Sequence, residues 1–185
     1  QKLAIALALF GAVSAYNLHD AIPNAATQLK GEALRDYVNH AQKLFKAEVP
    51  KKSHRNHLMA IKHTRLPEDA KFKADVPISA SLPTAFDSRE QWPMCSGIGA
   101  IRDQSDCGSC WAFGAAEAMS DRVCIASKGT KTPTLSADDL LSCCGFFCGY
   151  GCEGGYPIRA WTYMTQKGIC TGGGFYENVG CKPYP

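Results

Sequence analysis

Cysteine is confined to the second half of this 185-residue chain. All ten cysteines lie between Cys95 and Cys181, a stretch in which about one residue in nine is cysteine. Such a density is typical of domains cross-linked by disulfides in an oxidising compartment. The pattern therefore predicts a disulfide-stapled part, preceded by a part of different character.

Composition excludes several classes of protein. Hydrophobic residues make up 45% and charged residues 20% of the chain, as in an ordinary globular protein. The net charge is only +3 and no basic block is present, so nucleic acid is not expected as a partner. His54, His57 and His63 lack the spacing and the nearby cysteines of a metal site. Neither a metal nor another cofactor is therefore predicted.

The N-terminal residues have the pattern of a secretory signal peptide. An apolar run at residues 3–13 follows Lys2, and Val13-Ser14-Ala15 offers small residues for cleavage. The run is shorter than the roughly 20 residues that a membrane-spanning helix requires. We expect residues 1–15 to be a signal peptide with a clipped start, no membrane span, and a lysosomal or extracellular product. A buried apolar helix is the alternative interpretation.

Residues 16–81 contain no cysteine and only short periodic patterns. An amphipathic helix is predicted from Leu34 to Phe45, and a weaker pattern follows at residues 58–66. Residues 71–81 are polar and lack periodicity, which indicates an extended linker. One or two amphipathic helices cannot bury a core alone, so we expect this region to dock on the part that follows.

Three helices are predicted in the cysteine-rich part. The first begins at or just before Cys110, runs toward Val123 and is apolar on most faces, which predicts burial. The second begins after Ser136, which together with Asp139 resembles a capping box and has Leu135 and Leu140 as its hydrophobic staple. The third runs from Tyr156-Pro157 to Lys167-Gly168, with proline in the first turn and glycine after the last. No strand-rich run is apparent.

The segment from Gln104 to Phe113 carries the chemistry. It places the thiol of Cys110 at the start of a buried helix, where free N–H groups and the helix dipole favour the thiolate. Gly108 and Ser109 are small enough to let a substrate backbone approach. Gln104 can offer its side-chain amide, together with the Cys110 backbone N–H, to a developing oxyanion.

These residues resemble a known family. Cys107-Gly108-Ser109-Cys110-Trp111 fits the nucleophile signature of papain-like cysteine peptidases. Stretches similar to the cathepsin B branch continue at residues 86–93, 101–104, 140–145, 152–157 and 179–184. The resemblance runs from Leu82 to Pro185, and residues 31–48 are more weakly similar to invertebrate cathepsin B propeptides. The chain thus resembles the N-terminal part of such a preproenzyme.

The resemblance implies an α+β papain-like fold, with only the mainly helical left domain present and a helical pro-segment before it. Residues 16–81 would be a propeptide that lies through the cleft as an inhibitor and is removed near Ser81-Leu82. Residues 82–185 would be the N-terminal part of the peptidase domain. The implied activity is hydrolysis of peptide bonds in peptide and protein substrates by a monomer, through a thioester on Cys110.

Roles follow for individual residues by the same resemblance. Cys110 would be the nucleophile and Gln104 the oxyanion donor. The implied substrate-binding residues are Gly108, Ser109, Gly154, Gly155, Tyr156 and Pro157. The implied disulfides are Cys95–Cys124, Cys107–Cys152 and Cys144–Cys148. Cys143 and Cys181 would find their partners beyond residue 185, and Cys170 has no counterpart in the family.

A thiol peptidase also needs a histidine base and an asparagine that orients it. In the family these follow the nucleophile by roughly 130–150 residues, whereas this chain ends at Pro185 with no histidine after Cys110. We therefore expect these residues alone to be inactive. Two alternatives stay open: a non-catalytic homologue that acts as a decoy, and a zinc protein using Cys107, Cys110 and the cluster at residues 143–152 as ligands.

Overall fold

The structure is a computed structural model that describes residues 23, 25–68, 70 and 83–185. The predicted signal peptide at residues 1–15, the predicted linker at residues 71–81 and the cleavage position near Ser81 lie outside these ranges. The chain divides into two compact units, Gln1–Pro50 and Lys51–Pro185.

The described residues are mainly helical. Their α-helices are α1 (Gly31–Ala41), α2 (Ser88–Gln91), α3 (Cys110–Ala126), α4 (Ala137–Cys143) and α5 (Pro157–Lys167). Short 3₁₀ helices lie at Ala26–Gln28, Lys52–His57, Ile61–Thr64, Ser96–Gly99, Gly145–Phe147 and Gly151–Glu153. Within the described ranges there is no β-strand, only the isolated antiparallel bridges Leu135–Thr171, Gly149–Gly155 and Gly172–Gly180. None of the helices in this part of the chain has the length and apolar character that a membrane span requires.

In the first unit, helix α1 is shorter than the sequence predicts. It ends at Ala41, four residues before the predicted end at Phe45. The side-chain oxygen of Gln42 accepts the N–H groups of Leu44 (2.7 Å) and Phe45 (3.1 Å), which replaces the next helical bonds with a local turn. Leu44 is consequently 94% exposed and does not extend the apolar face. The predicted C-terminal boundary was wrong for this reason.

Helix α3 is the centre of the second unit and packs against α4 and α5. Its predicted start at Cys110 and its predicted burial are both confirmed. The core that it organises comprises Trp111, Ala112, Phe113, Ala115, Ala116, Leu135, Ala137, Leu140, Cys144, Cys148, Ala160, Met164 and Tyr184. An apolar helix with aromatic residues in its first turn therefore fixes the position of the thiol that begins it.

Helix α4 has the predicted N-cap but not the complete capping box. The Ser136 hydroxyl oxygen accepts the Asp139 N–H at 3.0 Å. The Asp139 carboxylate does not return to Ser136; it accepts the Cys170 N–H at 2.9 Å, and the Ser136 N–H donates to the Cys170 carbonyl at 2.9 Å. A distant backbone segment thus takes the place of the reciprocal cap. Leu135 and Leu140, the predicted staple, are both buried.

Helix α5 follows the prediction at both ends. Pro157 occupies the first turn and Lys167 the last. Gly168 then adopts φ +83°, a conformation that residues with a Cβ rarely adopt, and its N–H donates to the Met164 carbonyl at 3.0 Å.

Three disulfides cross-link the second unit: Cys95–Cys124, Cys107–Cys152 and Cys144–Cys148. These are the pairs that the family resemblance implies. Cys110, Cys143, Cys170 and Cys181 are free thiols. The disulfides engage Cys107 and three of the four cysteines in the cluster at residues 143–152, so only Cys110 and Cys143 would remain as zinc ligands.

Candidate functional site

The thiol of Cys110 stands at the surface on the first residue of α3. The next three residues, Trp111, Ala112 and Phe113, are all buried, and the Trp111 ring N–H donates to the Gly151 carbonyl at 3.1 Å. The first-turn N–H groups of a helix have no partner within the helix. The buried residues that follow Cys110 therefore define the position of its exposed sulfur at the start of α3.

The side chain of Gln104 is hydrogen-bonded to two backbone carbonyl groups near Cys110. The amide nitrogen donates to the Cys107 carbonyl at 2.7 Å and to the His57 carbonyl at 2.8 Å. Both N–H groups of this amide are therefore engaged. One of the two acceptors, His57, belongs to the part of the chain that the sequence assigns to the propeptide.

Tyr184 lies behind the nucleophile loop and was not among the predicted site residues. Its hydroxyl donates to the Gln104 carbonyl at 3.0 Å and lies 2.7 Å from the Ser109 hydroxyl, which must then be the donor in that second bond. The ring packs edge-on against Phe113 at 4.7 Å. Burial raises the pKa of Tyr184 above its ordinary value of 10.0. This phenol therefore links the Gln104 backbone to the Ser109 side chain, on either side of the disulfide residue Cys107.

Ser109 is fully buried, and its hydroxyl is hydrogen-bonded to the Tyr184 hydroxyl. Any contact that it makes with a ligand is restricted to its backbone. Gly108 is also buried, and a Cβ there would meet the Cys152 carbonyl oxygen and lie 2.9 Å from the Leu58 carbonyl oxygen. Only glycine allows the Leu58 backbone to approach this closely.

The predicted glycine pair, Gly154 and Gly155, forms one wall of the candidate site, and Gly108 forms the other. A Cβ on Gly155 would lie 2.6 Å from ring atoms of Trp111, and one on Gly154 would lie 2.7 Å from the His63 ring. Gly154 also has φ +127°, which is unfavourable for any other residue. The absence of side chains therefore lets the Trp111 ring pack against Gly155 and the side chains of His63 and Met59 pack against Gly154.

Residues 57–63, here called the covering segment, lie along both walls. The Ala60 N–H donates to the Glu153 carbonyl at 2.7 Å. His57 contacts the Ser105 carbonyl through Nδ1 at 2.6 Å, and its Nε2 is 3.4 Å from an Asp106 carboxylate oxygen. The covering segment thus bonds with the loop before Cys110 on one side and with the Gly154 turn on the other.

His63, within the covering segment, occupies a pocket in the Gly154 wall. It is only 3% exposed, its ring lies edge-on to Tyr156 at 4.8 Å and tilted to Tyr150 at 5.9 Å. Neither ring nitrogen has a hydrogen-bond partner among the described residues. Burial lowers the pKa of His63 below its ordinary value of 6.5, and the charge of Lys62 lowers that pKa further. No motif in the sequence singles out this histidine.

Comparison with known proteins connects this geometry to a family. The sequence profile described as papain family cysteine protease matches residues 82–184. From Caenorhabditis elegans, cathepsin B-like cysteine proteinase 5 is 52% identical over 164 residues, which cover 86% of this chain and 47% of that protein. The gut-specific cysteine proteinase of the same organism is 51% identical over 166 residues, covering 88% of this chain and 50% of that protein. The chain therefore spans about half the length of these relatives.

A solved structure has a similar fold. Procathepsin B S9 from Trypanosoma congolense matches with a TM-score of 0.59 and 34% sequence identity. The match covers 77% of this chain and 51% of that chain.

Proposed function

Since the chain belongs to the papain family of cysteine proteases and has cathepsin B-like relatives, we propose that it is part of a cathepsin B-like zymogen. The mature enzyme hydrolyses peptide bonds through a thioester on Cys110. The observation that carries the proposal is the exposed Cys110 thiol on the first turn of a buried helix, beside a loop to which the Gln104 amide is fastened.

The chemistry assigned to these groups is nucleophilic acyl transfer. The Cys110 sulfur attacks the carbonyl carbon of the scissile bond, and the carbonyl oxygen takes up the negative charge. The Gln104 side-chain N–H and the Cys110 backbone N–H stabilise that oxyanion. The C–N bond then breaks, the amine leaves with a proton from the general acid, and water hydrolyses the thioester to release the acid and restore the thiol.

The proton transfers require a histidine base and an orienting asparagine. No histidine follows Cys110 in these residues, so we assign both groups to sequence beyond Pro185 in the whole protein. The same sequence would provide the disulfide partners of Cys143 and Cys181. These 185 residues alone are therefore expected not to turn over substrate.

The substrate backbone is assigned to the channel between Gly108 and the Gly154-Gly155 pair. The support is steric, because a Cβ at any of these positions would collide with neighbouring atoms. Tyr156 and Pro157 border a pocket for a substrate side chain. Glu153 directly precedes the Gly154-Gly155 pair and adds a negative charge at the wall of the channel.

Residues 16–81 are assigned as the inhibitory propeptide, residues 1–15 as the signal peptide, and residues 82–185 as the N-terminal part of the peptidase domain. The covering segment supports inhibition, because it already takes one N–H of Gln104 and lies over Gly108 and Gly154. Cleavage near Ser81-Leu82 would release it. A signal peptide and three disulfides fit a lysosomal or extracellular enzyme, which we propose acts as a monomer on peptides and proteins.

The proposal is tested on the whole processed protein with a fluorogenic peptide substrate. Cys110→Ser should abolish hydrolysis, and alkylation of the wild-type thiol should do the same. Cys170→Ser is the matched control, since it removes another free thiol and should retain activity. Full hydrolysis by the Cys110→Ser variant would contradict the proposal.

A further inference from the structure

Arg102 lies two residues before Gln104, and its charged side chain is half-buried. The guanidinium carbon lies over the Phe113 ring, 4.9 Å from the ring centre. Its Nε is buried without a hydrogen-bond partner among the described residues. Burial lowers the pKa of Arg102 below its ordinary value of 12.5, and this effect exceeds the opposite effects of Glu117 and Glu177. Such a charge is stable only when its other N–H groups are well bonded.

The guanidinium bridges three backbone carbonyls on two other stretches of the chain. Nη1 donates to the Leu135 carbonyl at 3.0 Å, and Nη2 donates to the carbonyls of Gly172 (3.1 Å) and Gly173 (3.0 Å). Leu135 directly precedes the N-cap of α4, whereas Gly172 and Gly173 follow α5. The planar fork of an arginine reaches acceptors in several directions at once. Arg102 therefore joins both loops to the stretch that carries Gln104.

Tyr184 completes a closed arrangement around the same stretch. Its N–H donates at 3.3 Å to the Gly173 carbonyl oxygen, which also accepts from Arg102. Its hydroxyl donates to the Gln104 carbonyl at 3.0 Å. Residues 102–104 are thus held at one end by a guanidinium and at the other end by a phenol, and both groups are bonded through Gly173.

We propose that Arg102 is a positioning residue of the oxyanion site, because its guanidinium holds the backbone from which the Gln104 side chain extends. Arg102 touches neither the substrate nor the reacting atoms in this assignment, and it acts through Gln104. The inference rests on the proposed function, since it concerns the oxyanion that forms in peptide hydrolysis.

Arg102→Lys tests this role with a small change. The variant keeps the positive charge, but a single ammonium cannot reproduce the forked bonds to carbonyls on two loops. The backbone at Gln104 then loses one of its two supports. A displacement of about 1 Å in a catalytic group costs up to about a hundredfold in rate. We expect kcat to fall roughly tenfold to a hundredfold with KM nearly unchanged, because the oxyanion bond is made only in the transition state.

A double-mutant cycle on the whole processed protein, with a fluorogenic peptide substrate, distinguishes positioning from a general structural role. Arg102→Lys should lower kcat when Gln104 is present and should have no further effect once Gln104→Ala has removed the donor. An equal loss in both backgrounds would overturn the proposal. An unchanged kcat for Arg102→Lys would overturn it as well.

Alkylation of Cys110 by iodoacetamide provides a second readout, because this displacement reaction forms no oxyanion at a carbonyl. Arg102→Lys and Gln104→Ala should both leave the alkylation rate unchanged while kcat falls. A parallel fall of kcat and of the alkylation rate in Arg102→Lys would show that the variant disturbs the thiol itself, which would overturn the proposal.

Arg102→Gln replaces Arg102→Lys in the same cycle if the lysine variant does not fold, since it keeps two N–H donors without a buried charge. Failure of both variants to fold would assign Arg102 to the fold alone and would overturn the proposal.

Arg89→Lys is the matched control, because Arg89 is an exposed arginine bonded to Asp87 at 2.6 Å. It should retain the wild-type kcat. If the wild type hydrolyses peptides and Cys110→Ser does not, the proposed function stands whatever the cycle shows. A wild type without peptidase activity would contradict both the proposed function and this inference.

Discussion

Replacing Tyr184 with phenylalanine removes one oxygen from behind the nucleophile loop and keeps the ring that packs against Phe113. The Ser109 hydroxyl, which is fully buried, and the Gln104 carbonyl both lose their bond to that oxygen. A buried polar group left unsatisfied costs about 1–3 kcal/mol. Ser109 should contribute most of this cost because it has no access to water. We expect Tyr184→Phe to destabilise the chain by about 2–3 kcal/mol.

The assay is urea denaturation followed by tryptophan fluorescence, since Trp111 lies in the same core cluster. A double-mutant cycle with Ser109→Ala separates the hydrogen bond from other effects. Because the two groups share one bond, the double variant should recover roughly 0.5–3 kcal/mol relative to the sum of the single variants.

Tyr176→Phe is the matched control, because Tyr176 is 88% exposed. It should change stability by less than about 0.5 kcal/mol. If Tyr184→Phe were as stable as the control, or if the cycle showed no coupling, the assigned bond between Tyr184 and Ser109 would be refuted.

Three further predictions concern stability and rate. Burial raises the pKa of Glu117 above its ordinary value of 4.5. Ionisation of this carboxyl therefore lowers the free energy of unfolding as pH rises from the ordinary pKa through the raised one. Glu117→Gln should raise Tm at neutral pH and not in acid below the ordinary pKa; a lower neutral Tm would contradict this. Gly155→Ala should lower the free energy of unfolding by about 1–3 kcal/mol, because the new methyl group would overpack against Trp111. Gly114→Ala is the control and should raise the free energy of unfolding, because its Cβ would meet open space in α3. Equal effects of the two substitutions would contradict the packing argument. Gln104→Ala in the whole processed protein should lower kcat/KM by about 10²–10³, and an unchanged value would remove Gln104 from the oxyanion site.

The papain-like, cathepsin B-like resemblance was recognisable from the sequence and is confirmed by the family profile and by relatives about half identical to the chain. The predicted mainly helical papain-like domain is confirmed by the match to a solved procathepsin B and by the helical architecture of the described residues. Helix starts were predictable where a local signal exists, such as Ser136 before α4 and Pro157 in α5. Residue roles in catalysis and the domain boundaries stay predictions.

Two of the features that sequence reasoning missed depend on long-range contacts, and the end of α1 depends on a local one. The end of α1 is decided by the side chain of Gln42, which no helix-stop signal marks. Tyr184 meets Ser109 across 75 residues, and no local pattern reveals that pair. His63 was considered only as a metal ligand, and its burial follows from the pocket at Tyr156, far along the chain. Pairings of this kind are set by tertiary packing and not by local propensity.

The role of Cys110 as nucleophile is tested most directly with a peptide-linked electrophile in the whole processed protein. Mass spectrometry then identifies the cysteine that has reacted. Cys170 serves as the internal control, because it is a free thiol in these residues and is not assigned a disulfide partner in the rest of the protein. We expect modification at Cys110, with loss of peptide hydrolysis in proportion to the label. Loss of hydrolysis with Cys110 unmodified, or full hydrolysis with Cys110 fully modified, would contradict it.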